Sequence, residues 1–152
     1  MIDFNTYQEL LALSFKWAEA YDSKNWSILR TILGDELIID YSNIFEETPK
    51  KMSCDEFVLF VSGHNLLGRA NVKTHHFLGA HKFKCLGDKI IGFYQIRAFH
   101  AKMEGEICTE EAVGSNILEH TYAKIGDQWK LVGIKPGPMI YLIGNLKSIF
   151  ND

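Results

Sequence analysis

Apolar residues recur at steps of three or four from about Thr6 to Ala20, where Leu10, Leu13, Trp17 and Ala20 form one stripe, the pattern of an amphipathic helix. Tyr21 and Asp22 lie at its end, and the chain turns through Ser23-Lys24. Asn25 is placed to cap a second helix carrying Trp26, Leu29, Ile32 and Leu33, with Gly34 at its C-terminal stop. Glu36 to Ser42 is rich in β-branched residues and predicts a short strand ending at Tyr41. Asn43 to Met52, with Pro49, reads as a loop. Ser53-Cys54-Asp55-Glu56 then matches a capping box and opens a third helix through Phe57, Phe60, Val61 and Asn65, ended by Gly68.

Beyond Gly68 the period shortens to that of strands. Val72 to Gly79, Ala80 to Leu86, Ile90 to Met103, Ala112 to Lys124 and Gln128 to Lys135 read as an antiparallel meander with hairpin turns at Gly87-Asp88, Gly105 and Gly126-Asp127. The longest runs exceed ordinary strand length, so the sheet should curve and bulges should shift its register. Pro136-Gly137-Pro138 stops the last strand. The tail from Met139 to Phe150 is too apolar to float free and is expected to act as a lid. The whole predicts one α+β domain over 1–152: N-terminal helices on the concave face of a curved antiparallel β-sheet, a cone with the C-terminal segment across its open end.

Composition narrows the function. A chain of 152 residues with 47% hydrophobic content can bury one sizeable core. A net charge of -3 and no basic run longer than Lys50-Lys51 argue against nucleic acid as a partner. Cys54, Cys85 and Cys108 are widely spaced and odd in number, unlike a disulfide framework or a metal knuckle, and read as reduced thiols of a cytoplasmic protein. The N-terminus shows no secretory signal, and no apolar run approaches the roughly 20 residues of a membrane span.

Candidate chemistry centres on Thr74-His75-His76-Phe77-Leu78-Gly79. Adjacent strand residues point to opposite faces, so only one histidine enters the cone, where a partnered imidazole can serve as a base. Alternation puts Tyr94, Ile96, Ala98 and His100 on one face of the long strand, and Asn116, Leu118, His120 and Tyr122 together on the next. His76, His100 and Asn116, with Tyr21, Asp22 and Tyr41 from the helical side, would be convergent polar groups in a cavity lined by Phe45, Phe57, Phe60 and Leu66, the make-up of a small-molecule site. His64, His81 and His120 read as surface or packing residues. A zinc site can be drawn from His75, His76, His81 and Cys85, but the adjacent histidines diverge and no ligand spacing supports it, so no metal is expected. Each residue also has a structural explanation: Tyr21 and Asp22 as a buried hydroxyl and a local cap, Tyr41 as a sheet tyrosine with its hydroxyl at the rim.

The blocks Trp17 to Trp26, Ile39-Asp40-Tyr41, Thr74 to Gly79, Ile91 to Arg97 and Trp129 to Pro136 resemble, in order and spacing, fungal scytalone dehydratase, a family of the NTF2-like superfamily. The resemblance covers nearly the whole chain. It implies an α+β cone, often trimeric, that dehydrates a polyketide-derived hydroxy-ketone without cofactor or metal. It further implies that Tyr21 and Tyr41 polarise the substrate ketone through a shared water, that His76 is the acid and base, that Asp22 orients it, and that His100 is the second pocket histidine. The family's lysine before Gly68 is replaced by His64. Its serine and asparagine correspond to Asn116 and Leu118 on ungapped counting, or to Ser115 and Asn116 with a one-residue deletion. With Phe45, Phe60, Leu66 and Phe150 of the tail, these are the candidate substrate contacts, and the departures point to an aromatic or polyketide-like substrate other than scytalone. Two further readings stay open: an isomerase or cyclase of the same cone, and a non-catalytic small-molecule-binding module.

Overall fold

The first helix begins earlier and ends later than its apolar stripe requires. In the computed structural model, which describes residues 2–151 of the 1–152 chain, α1 runs Phe4–Ser23, started by Asp3, whose carboxylate accepts the Thr6 N–H at 2.9 Å, and stopped by Lys24 in the left-handed region. Leu10, Ser14, Trp17, Ala18, Ala20 and Tyr21 make its buried face. The second helix, α2 (Trp26–Ile32), is capped by the Asn25 side chain as expected. Gly34 does not stop it: the chain passes directly into β1 (Leu33–Ile39), with Gly34 inside the strand. A Cβ there would press on Val132 of a neighbouring strand at 2.8 Å, so close strand packing, not helix termination, is what this glycine serves.

The expected loop after Tyr41 contains a short helix, α3 (Ser42–Phe45), and an edge strand, β2 (Lys50–Ser53), paired antiparallel with β1. The capping box forms as read: the Ser53 hydroxyl accepts the Glu56 N–H at 3.2 Å and the Glu56 carboxylate accepts the Ser53 N–H at 2.7 Å. It opens α4 (Cys54–Val61), which ends before Asn65. Four long strands follow, β3 (Val72–Leu86), β4 (Lys89–Glu104), β5 (Ile107–Ile125) and β6 (Gln128–Pro136), then β7 (Tyr141–Ile143) and α5 (Leu146–Phe150).

The sheet order is β2-β1-β6-β5-β4-β3, with β7 on β5. It is mixed, not antiparallel throughout, because β1 lies parallel to β6. The meander reading holds for β3 to β6, while β1 joins from the helical half of the chain, where period alone carries no strand direction. The break expected at Gly79-Ala80 is a bulge inside one continuous strand, with register shifting between Leu78 and His81. Parity changes across it: His76 and Leu78 pair inward with Ala98 and Ile96, whereas beyond it His81 and Phe83 pair with Tyr94 and Gly92.

Helices α1, α2 and α4 cover the concave face, and the core of Leu10, Leu29, Leu37, Phe57, Leu118 and Leu131 lies between the layers. Among the described residues no helix is long and apolar enough to cross a membrane.

Candidate active site

Successive helical residues point about 100° apart, and this splits the last turn of α1. Tyr21, one turn after Trp17, points into the cone, whereas Asp22 faces β3. There the Asp22 carboxylate accepts three hydrogen bonds, from the Thr74 hydroxyl (2.9 Å), the His76 backbone N–H (2.9 Å) and His76 Nδ1–H (2.7 Å, with the tautomer assigned from this contact). Burial would raise the Asp22 carboxyl, but the bonds from His76 and Thr74 outweigh it and hold it below the ordinary carboxylate value. The His76 side chain is 7% exposed and lines the cavity. With Nδ1 committed to Asp22, Nε2 is the nitrogen available to a ligand. His75 faces outward and is exposed, which resolves the paired histidines as strand alternation required.

Tyr41 follows the end of β1, and its hydroxyl meets that of Tyr21 at 3.0 Å. Burial pushes the Tyr41 phenol up to about 12; burial, and then the neighbouring Tyr41, push Tyr21 well above the usual tyrosine value. Both therefore stay protonated donors at neutral pH. His100 lies beside His76, ring centroids 5.6 Å apart, and burial, then His76, lower it to about 3, so it is neutral. Its Nδ1 is buried with no protein partner. One wall of the cavity thus carries a carboxylate-tethered imidazole, a neutral imidazole and a pair of phenols.

Apart from Asn116 of β5, the remaining walls are apolar. Ile44 and Phe45 of α3, Val61 of α4, Leu66 and Leu67, Ile96 and Ala98 of β4, and Leu118 of β5 line a space of about 810 Å³ when the open solvent at its mouth is included. Met139, Leu142, Leu146 and Phe150 close it, so the tail is the lid its composition demanded, secured by β7 pairing with β5.

Several expected contacts move. His64 sits on the turns after α4, exposed and outside the cavity, because the helix ends at Val61; Leu66 and Leu67 of that segment line the cavity instead. Ser115 points to the outer face, towards Arg97 Nε at 3.5 Å, since alternation puts Gly114, Asn116 and Leu118 inward; of the two alignments the ungapped one gives the inward residues. Phe57 is fully buried one turn behind Val61, and Phe60 lies behind Tyr41, ring centroids 6.3 Å apart, so neither lines the cavity. His120 is fully buried, with Ser14 Oγ at 2.7 Å from its Nδ1, a packing residue as expected. His81 is exposed beside the Tyr7 hydroxyl at 2.7 Å.

Trp17 is the site residue that the stripe of α1 concealed. It lines the cavity with its ring 4.6 Å from Tyr21 and 5.2 Å from His76, and its Nε1–H is buried without a partner. Its spacing of four from Tyr21, which puts both on one helical face, was the available signal.

The family model for scytalone dehydratase matches residues 1–152. The chain is 35% identical over 139 residues to the scytalone dehydratase of Colletotrichum orbiculare, covering 89% of this chain and 74% of that protein. Among solved structures it superposes on the Kfla4162 protein of Kribbella flavida with a TM-score of 0.80 at 18% identity, covering 95% of each chain. A nuclear transport factor 2 (NTF2-like) superfamily protein of Salmonella enterica superposes with a TM-score of 0.69 at 12% identity, covering 86% of this chain and 89% of the other. The expected cone is thus the NTF2-like fold.

Proposed function

We propose, from the premise that this chain belongs to the scytalone dehydratase family, that it is a cofactor-independent dehydratase acting on a polyketide-derived or related hydroxy-ketone in fungal secondary metabolism. The observation that carries the reading is the tethered base: His76 held through Nδ1 by Asp22, with its other nitrogen on a cavity that also holds the Tyr21–Tyr41 pair.

The chemistry follows from that placement. The substrate carbonyl lies at the two phenols, directly or through a water, and His76 Nε2 takes the proton from the carbon beside it. The electron pair moves onto the carbonyl oxygen, where hydrogen bonds from donors of this kind lower the barrier by about 3 kcal/mol each. The enolate then collapses to form a carbon–carbon double bond, expelling the β-hydroxyl, which leaves as water with the proton returned by the imidazolium. Asp22 acts through His76, fixing its tautomer and stabilising the imidazolium. His100, neutral beside it, supplies a ring nitrogen to the departing hydroxyl. Asn116, Leu118, Phe45, Leu66 and Phe150 hold the ring system.

The protein acts as a trimer in the cytoplasm. Phe77, Phe99 and Ile117 stand exposed on the outer face of the sheet, a surface that association would cover, and Cys54, Cys85 and Cys108 are all free thiols. Incubation of the pure protein with cyclic hydroxy-ketones, followed by mass spectrometry, tests the reaction. A product lighter by one water is expected; a product of unchanged mass means isomerisation or cyclisation, and binding without product means a carrier.

A further inference from the structure

The cavity gathers two imidazoles and two phenols at one end, with Asn116 the hydrogen-bonding side chain on the opposite wall. His76, Ala98, Gly114 and Leu142 are directly paired across β3, β4, β5 and β7, one inward-facing row that crosses the cavity wall. His76 opens the row beside Tyr21, Tyr41 and His100. Two strand spacings away, about 10 Å along the sheet, the row reaches Gly114, and there the surroundings change.

Gly114 has no side chain, and Met139 lies over its bare Cα: a Cβ built on Gly114 would stand 3.0 Å from the Met139 sulfur and 3.1 Å from its methyl. Leu142, itself half-exposed, completes the surface. The adjacent polar residue, Asn116, belongs to the next row with Ile96, and its Nδ2–H is donated to Gly137 O at 3.2 Å. A ligand group over Gly114 therefore meets a thioether, a leucine and backbone already paired with β4 and β7.

We propose that the Gly114–Met139 pair is a specificity determinant that selects a cyclic hydroxy-ketone whose edge remote from the carbonyl carries C–H, methyl or methoxy and not a free hydroxyl. This rests on the dehydratase reading for the identity of the ketone end only. A hydroxyl over the thioether would lose its water partners and gain none from Met139 or Leu142, which disfavours it against a methyl of similar size by about 10- to 10²-fold. A methionine suits the role because its unbranched, polarisable side chain adapts to substituents of different shape.

The test uses two bicyclic β-hydroxy-ketones that differ only in a methyl or a hydroxyl on the ring remote from the carbonyl. Kd is read from tryptophan emission, which Trp17 in the cavity wall reports, and kcat/KM from product formation. The wild-type protein should favour the methyl compound by at least about 10-fold in Kd, and Met139→Gln, similar in length but able to hydrogen-bond, should narrow that preference. Equal affinities, a preference for the hydroxyl compound, or a preference unchanged in folded Met139→Gln overturns the proposal. If the Kd preference holds and narrows in the variant but neither compound loses water, the apolar end stands and the dehydratase reading falls.

Discussion

Asp22 takes both the ring N–H and the backbone N–H of His76, at 2.7 and 2.9 Å, so one carboxylate at the end of α1 fixes both the rotamer and the strand position of the imidazole. The proposed base is held by the helix–sheet junction itself. His76→Asn should lower kcat by at least about 10²-fold while circular dichroism stays that of the native fold. Near-normal turnover by the folded variant would remove His76 from the mechanism.

The phenols share one hydrogen bond, so the proposed mechanism uses them as a unit. Tyr21→Phe and Tyr41→Phe should each lower kcat by about 10²-fold, and the double variant by clearly less than the product of the two, because either change already breaks the shared bond. Steady-state kinetics on the four proteins of the cycle measure this; independent, multiplicative losses would mean that the hydroxyls work separately.

Acid should destabilise the fold through its buried histidines. His100 and His120 are lowered to about 3 from the ordinary 6.5, burial being the leading cause in each. Between those values the unfolded chain binds protons that the folded chain refuses, so their contribution is fully present above about 6.5 and is lost as pH falls towards 3, at up to about 1.4 kcal/mol per pH unit for each group. Asp22, held low, acts in the same direction over the carboxylate range. Urea unfolding at pH 7, 6 and 5 checks the slope, and His120→Gln should flatten it by about one proton's share; an unchanged slope in that variant would show that His120 titrates normally in the fold.

Phe77 and Phe99, 59% and 38% exposed, lie on the outer sheet face. If the proposed trimer forms through this face, Phe77→Lys with Phe99→Lys should yield monomers, measured by light scattering after size exclusion, with helix and strand content unchanged. A wild-type protein that elutes as a monomer would refute the assembly.

Periodicity located the long elements because each buries one continuous face: the stripe of α1, the capping box of α4 and the alternation of β4 and β5 all survive in the structure. Local signals failed where a partner distant in sequence decides the outcome. Gly34 looked like a helix stop because its neighbour Val132 lies far along the chain, and β1 gave no sign of its parallel partner. The convergence of Tyr21, Asp22, His76 and His100 was legible because these residues sit on regular elements with fixed facing, whereas Tyr41, read as the end of a strand, lies past the end of β1. His64 was not, because α4 ends before reaching it, and Gly114 was invisible as a site residue because its contribution is a missing side chain under Met139.

The tail is held to the sheet by a short ladder, Val113, Gly114 and Ser115 against Ile143, Leu142 and Tyr141, while the rest of β5 stays zipped to β4 and β6. Gly144, at positive φ, passes so close to the Glu111 carbonyl that no Cβ would fit, which ends the ladder there. Beyond the ladder Ile149 is fully buried and Lys102 Nζ donates to Asn151 O at 2.9 Å, so opening the cavity at this end requires release of both the ladder and this anchor while the sheet stays intact. Amide hydrogens of 140–150 should exchange far faster than those of β4 and β5, and a ligand seated against Met139 and Phe150 should slow the former without touching the latter.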